Sequence, residues 1–264
     1  MTHAVSGLNP IRMIQYDLSY DPSVPSRKFD FYPSQSGGHA PLVVMLHGGG
    51  WISGDRTMYA DEAAWYAEQG FHAACISYRL APLFPFPAAV ADVQTFLGFC
   101  RQNHDSLGVI PDQVFALGNS AGGHLACMAG LCETNLETDE PSQPANAVVS
   151  ICGITDIRNP EESQMPISMS FIEQFMGGSH TGNEDQWALA SPITHITEDA
   201  PPFLIMHGTE DEIVPVDQAR ALYANLCSKG VPASLHLLDG ENHSFSLNAW
   251  NKMRSLAIDF LRSI

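Results

Sequence analysis

Short apolar runs recur along the chain at residues 41–46, 113–117, 145–152, 202–206 and 233–238. Runs of that length, bounded by glycine, proline and polar residues, read as strands. Between them the apolar positions change period. Val90, Val93, Phe96, Leu97 and Cys100 recur at helical spacing, as do Trp250, Met253, Leu256, Ala257, Phe260 and Leu261 near the C-terminus. Residues 123–131 continue the run at 113–117 as a further helix. Strands alternating with one-sided helices predict an α/β fold, with a mostly parallel central sheet and helices on both faces. The first strand-like stretch starts by about Ile14. No linker, repeat or long like-charge block divides the 264 residues, so residues 1–264 read as one domain.

The chemistry gathers at the ends of the strand runs. Gly118-Asn119-Ser120-Ala121-Gly122 lies between the run at 113–117 and the following helix, which sets Ser120 on a tight strand-to-helix turn. Such a nucleophile elbow exposes the hydroxyl and aims the helix N-terminus at developing negative charge. The run at 41–46 ends in His47-Gly48-Gly49-Gly50-Trp51. Consecutive glycines leave their N–H groups unblocked, so two of those groups can converge on one oxygen, with the amide of Ala121 as a further donor. A dinucleotide cradle would want G-x-G-x-x-G opening a helix, and here the glycines run together with Trp51 behind them. After the run at 202–206, Asp211 stands between Glu210 and Glu212. A carboxylate fixed just beyond a strand can orient an imidazole, and Asp211 is the preferred one of the three. His243 follows the last strand and completes the order serine, acid, histidine, the order of α/β-hydrolases. His47, His124 and His207 flank glycines and read as structural.

These residues resemble the hormone-sensitive-lipase-like branch of the α/β-hydrolases, close to the small bacterial carboxylesterases, acetyl esterases and feruloyl esterases. The match runs through His47 to Trp51, Asp55, Tyr78-Arg79-Leu80-Ala81-Pro82 with Phe86-Pro87, Gly118 to Gly123, Ser191-Pro192, His207-Gly208 with Asp211 and Val214-Pro215, and His243. The resemblance implies the α/β-hydrolase fold, Ser120 as nucleophile, Asp211 as acid and His243 as base. It also implies Gly48, Gly49 and Ala121 as the oxyanion hole. It implies no cofactor and no metal, and it fixes no substrate beyond a small-molecule ester. Larger members carry a helical cap segment before the first strand, which is expected to be minimal or absent here. A short cap is expected at about residues 157–190, where Met165, Ile167, Met169, Phe171, Ile172, Phe175 and Met176 crowd together. They form either an adaptable wall over the site or a helix packed into ordinary core. Trp51, Phe84, Phe86, Met169, Phe175 and Phe245 are the candidate substrate-binding residues, each as readily core as pocket.

Charge narrows the partners. Twelve basic against 29 acidic residues leave a net charge of −17, which disfavours nucleic acid and anionic membrane surfaces. The six cysteines at 75, 100, 127, 132, 152 and 227 fall in predicted strands and helices without C-x-x-C spacing, so buried free thiols are expected. No apolar leader core or membrane-length run is present, and a cytoplasmic location follows unless a leader has been removed, in which case the protein is secreted or periplasmic. Composition says nothing of oligomeric state. The expected function is hydrolysis of short-chain carboxylic esters by Ser120, His243 and Asp211. The alternative enzyme is an arylformamidase-type amide hydrolase with the same loop and triad order. A catalytically silent receptor on the same fold is the reading from another class; such receptors usually lose a triad member, and all three candidates are present here.

Overall fold

The structure is a computed structural model that describes residues 13–264. Eight strands form one sheet: β1 (Gln15–Ser19), β2 (Lys28–Tyr32), β3 (Ala40–Leu46), β4 (His72–Ile76), β5 (Val109–Asn119), β6 (Ala147–Ile151), β7 (Phe203–Gly208) and β8 (Ala233–Leu238). Their spatial order is β1-β2-β4-β3-β5-β6-β7-β8. β1 and β2 are antiparallel additions at one edge, and every pairing from β4 to β8 is parallel. The apolar runs of the sequence are therefore β3 and β5 to β8, which form the sheet's centre and reach its far edge at β8. The β1–β2 hairpin and β4 extend it on one side.

The two faces of the sheet are read off its alternation. Leu42, Val44 and Leu46 of β3 belong to one buried cluster, and Val43 and Met45 to the other. Successive side chains of a strand point to opposite faces, so each central strand feeds two cores and must be apolar throughout. The first core packs against α2 (Ala88–Gln102), α4 (Ala121–Leu131) and α8 (Asp217–Ser228). The second packs against α1 (Ala60–Glu68) and α9 (Leu247–Arg262). Only a one-turn helix, α3 (His104–Leu107), separates α2 from β5.

α4 is buried along its whole length, which suits a helix made almost entirely of small and apolar residues. Its N-terminus presses onto the end of β3. A Cβ at Gly122 would stand 1.9 Å from the Leu46 carbonyl oxygen, so no other residue fits there without moving backbone. Between β6 and β7 lie α5 (Pro160–Ser163), α6 (Pro166–Met176) and α7 (Glu184–Leu189), the stretch expected at 157–190. Residues 1–12, where the expectation about an N-terminal cap falls, lie outside the described residues.

Candidate active site

The C-terminal ends of β5, β7 and β8 deliver three side chains to one point. Ser120 sits between β5 and α4 with φ 55° and ψ −122°, a conformation that a serine adopts only when its surroundings impose it. Its amide donates to the Ile151 carbonyl on β6, and its carbonyl accepts from His124 one turn along α4. Locked from both sides, the side chain projects from the turn. Ser120 Oγ lies 3.0 Å from His243 Nε2, and His243 Nδ1 lies 2.7 Å from Asp211 Oδ2. A carboxylate only accepts, so the ring proton is on Nδ1, which leaves the Nε2 lone pair facing the serine.

Asp211 is held on both oxygens. Oδ1 accepts from the amides of Ile213 (2.9 Å) and Val214 (2.8 Å), while Oδ2 meets His243 and, at 3.2 Å, His207 Nε2. The same His207 nitrogen is 2.9 Å from the Val214 carbonyl, so Nε2 carries its proton and supports the acid from behind. Burial by itself raises the Asp211 pKa, and the hydrogen bonds from His207, His243 and Val214 outweigh it and hold the carboxyl well below its ordinary range. For His243, burial pulls the pKa down, and the Asp211 carboxylate together with the neighbouring Cys152 more than reverses it, so the imidazole stands above its ordinary value. The acid's side chain is 0% exposed and the base's 13%, so solvent and substrate reach the relay through His243.

The glycine loop lies alongside. His47 Nδ1 is 2.8 Å from the Gly48 carbonyl and donates to it, and the imidazole stacks on Tyr78 with ring centroids 4.2 Å apart. A trans peptide points its C=O and N–H in opposite directions, so pinning the Gly48 carbonyl also fixes the direction of the Gly49 N–H. Gly49 itself has φ 106°, and a Cβ on it would stand 2.3 Å from the Ser53 carbonyl oxygen. The amides of Gly48, Gly49 and Ala121 have no protein acceptor among the described residues. His124 closes the underside: its Nδ1 accepts from Trp51 Nε1 at 3.2 Å and its Nε2 meets the Ala190 carbonyl at 2.9 Å. Burial pushes its pKa down to about 4, so it stays a neutral strut.

A cavity of about 460 Å³ opens over Ser120 and His243. Of the predicted binding residues, Trp51 and Phe245 border it, whereas Phe84, Phe86, Met169 and Phe175 do not. Phe175 slides under Trp51 and stacks on it at 4.3 Å, and Phe86 meets Phe175 edge-on at 5.7 Å, so both are core. Met169 packs against the same core. Phe84 lies outside, 40% exposed, with the Arg79 guanidinium over its ring. The α6 residue at the cavity is Phe171, whose ring lies against Gly50, together with Ser168. The segment is thus both wall and core. Phe171 belongs to the stretch expected as a wall, though not among the residues named for substrate binding; sequence reading did not single out Met58, Asn119, Ile154, Ile213, Val214 and Trp250 as lining, and they border the cavity too. Trp250 looks like a core position by helical spacing, and it is turned to the cavity because its Nε1 donates to buried Glu62, which also binds Arg254. Among the described residues no lysine or arginine borders the cavity.

All six cysteines are free, and five are buried as expected. Cys227, on the outer face of α8, is exposed. Among the described residues no helix is long and apolar enough to cross a membrane.

A serine, aspartate and histidine at the C-terminal ends of parallel strands, in this chain order and on this sheet, define an α/β-hydrolase fold. The BD-FAE family model matches residues 29–226, and the chain belongs to that family. It is 30% identical over 251 residues to the esterase LipQ of Mycobacterium tuberculosis, covering 91% of this chain and 59% of that protein. It is 32% identical over 216 residues to the esterase LipC of the same organism, covering 79% and 54%. The chain thus spans little more than half the length of these relatives. Among solved structures, the propionate-bound Est2 esterase of the planctomycete Thermogutta terrifontis superimposes with a TM-score of 0.80 at 25% identity, covering 95% of this chain and 93% of that one.

Proposed function

We propose that the protein is a serine carboxylesterase acting on small, neutral esters with short acyl groups. The observation that carries this reading is the continuous relay from Asp211 through His243 to Ser120, at 2.7 and 3.0 Å, opening on a cavity flanked by unengaged amides. His243 Nε2 takes the Ser120 proton as Oγ attacks the ester carbonyl. The amides of Gly48, Gly49 and Ala121 receive the oxyanion, and their geometry is fixed before substrate arrives, so little reorganisation opposes the step. His243 then gives its proton to the departing alcohol, and water repeats the cycle on the acyl-enzyme. Asp211 stays ionised throughout, held low by its hydrogen bonds.

The lining supports the substrate class. Met58, Phe171, Ile213 and Trp250 offer apolar walls, and among the described residues no lysine or arginine borders them to balance a carboxylate or phosphate on the substrate. The protein's net charge of −17 works in the same direction. Phe171 and Trp250 bound the space available to the acyl chain, so methylenes beyond the cavity would hang in water. They would forgo most of the ~0.8 kcal/mol that burying each could contribute. The Thermogutta esterase holds propionate, an acyl group of that size. A panel of p-nitrophenyl esters tests the reading: kcat/KM should peak between acetyl and butyryl and fall steeply by octanoyl, with N-formyl anilides poor. Phe171→Ala should flatten the profile while leaving Ser120 labelling intact. A maximum at long chains, or a preference for N-formyl anilides over every ester, would overturn it.

A further inference from the structure

Cys152 takes no part in the chemistry proposed above, yet it sits beside it. It follows the last residue of β6, and its amide donates to the Met206 carbonyl on β7. Its φ of +41° turns the chain just beyond the sheet, and the side chain is fully buried. A ligand atom from each of Cys152, Asp211 and His243 lies within 4.8 Å of the other two. A sulfur, an imidazole nitrogen and a carboxylate oxygen, drawn from three different strand ends, make a donor set suited to a tetrahedral, thiophilic divalent cation.

We infer that Cys152, His243 and Asp211 form an inhibitory site for Zn²⁺, with water as the fourth ligand. The inference rests on the esterase reading for its effect, though not for the binding itself. Zinc holds sulfur at about 2.3 Å and nitrogen or oxygen at about 2.0–2.2 Å, which sets neighbouring ligands roughly 3.5 Å apart. To reach that geometry Cys152 closes in while the His243–Asp211 pair, now at 2.7 Å, opens to admit the metal. On binding, the Cys152 thiol proton passes to solvent and the thiolate bonds the metal. The neutral imidazole contributes Nδ1, the nitrogen on the Asp211 side, and the metal takes the place of the proton shared with that carboxylate. The ring proton is then confined to Nε2, which has nothing left with which to accept the Ser120 proton. No oxidant or reductant enters, and removing the metal restores the resting relay. The path in is the exposed edge of His243 at the cavity floor.

Zinc titration of the purified enzyme during turnover tests this, beside cadmium binding followed by the ultraviolet thiolate-to-cadmium charge-transfer band. Wild type should be inhibited by zinc and recover with EDTA. Cys152→Ser should need at least tenfold more zinc to lose the same fraction of its own zinc-free turnover, since losing even an outer-sphere partner costs about 10–100-fold in metal affinity. The cadmium band should persist in Ser120→Ala and in Cys227→Ser, which removes the exposed thiol, and vanish in Cys152→Ser. Cys152→Ala serves if the serine variant does not fold. Equal zinc sensitivity in wild type and the Cys152 variants, or a cadmium band that survives them, would overturn the site. A Cys152-dependent band in a protein that hydrolyses no ester would sink the esterase reading and leave the site standing. Turnover without any such band would do the reverse.

Discussion

Asp211→Asn changes one atom of the relay, and the structure says which way the new amide must face. Asp211 Oδ1 accepts from the Ile213 and Val214 amides at 2.9 and 2.8 Å, so the asparagine's carbonyl oxygen must take that place. The flipped orientation would set an NH₂ against two N–H groups and forfeit two hydrogen bonds, each worth about 1 kcal/mol. The NH₂ therefore stands where Oδ2 was, 2.7 Å from His243 Nδ1. It can only donate, so Nδ1 must accept, and the ring's single proton moves to Nε2, against Ser120 Oγ at 3.0 Å. The base is then gone although every heavy atom is in place. Loss of the tautomer in an equivalent relay costs about 10⁴ in kcat, or about 5 kcal/mol of barrier. The assay is steady-state turnover of p-nitrophenyl acetate by folded Asp211→Asn, beside Glu210→Gln and Glu212→Gln. Those two glutamates are exposed and should change kcat by no more than a few-fold. An Asp211→Asn rate within tenfold of wild type, or a glutamate variant more damaged than it, would refute the reasoning.

Two further predictions concern protons. Only neutral His243 can take the Ser120 proton, so kcat/KM should fall as pH drops through its pKa. Because Asp211, with Cys152 beside it, holds that value above the ordinary one, the acid limb should have its midpoint above 6.5; a midpoint at or below 6.5 contradicts this arrangement. His124 works the other way on stability. Folded, it titrates at about 4, and unfolded near 6.5, so between those values the unfolded chain binds a proton that the folded one refuses. Its contribution is complete above pH 6.5 and lost as pH falls toward 4, amounting to about 3 kcal/mol. Denaturant midpoints at pH 7 and pH 4.5 should differ less in His124→Asn than in wild type, and equal differences would remove His124 as the cause.

What the sequence discloses of this protein is what local pattern controls. β3, β5, β6 and β7 lie inside the sheet and are apolar on both faces, and β8 at its edge is still mostly apolar, so these strands stand out and the residues at their ends follow in reading order. β1 is short and partly exposed, and β2 and β4 are five-residue runs too short to carry a strong period of their own. Ser120, Asp211 and His243 are legible because a strand end fixes each one's place. The cavity lining is not, because a helix in contact with both core and pocket has one period for two destinations. Phe171 and Phe175 are four residues apart on α6, yet one borders the cavity and the other lies beneath Trp51. His207 reads as a structural histidine, and only the three-dimensional arrangement reveals that it supports the Asp211 carboxylate.

The claim on which the rest depends is that Ser120 is an activated nucleophile. A fluorophosphonate probe, followed by peptide mass mapping, reads this directly, because only a serine with a poised base reacts quickly. The probe should label Ser120 alone and abolish ester turnover in proportion to labelling. In the same experiment Ser120→Ala should take no label, keep its fold and lose turnover on the order of a million-fold. A label on any other residue, or wild-type turnover from Ser120→Ala, would contradict it.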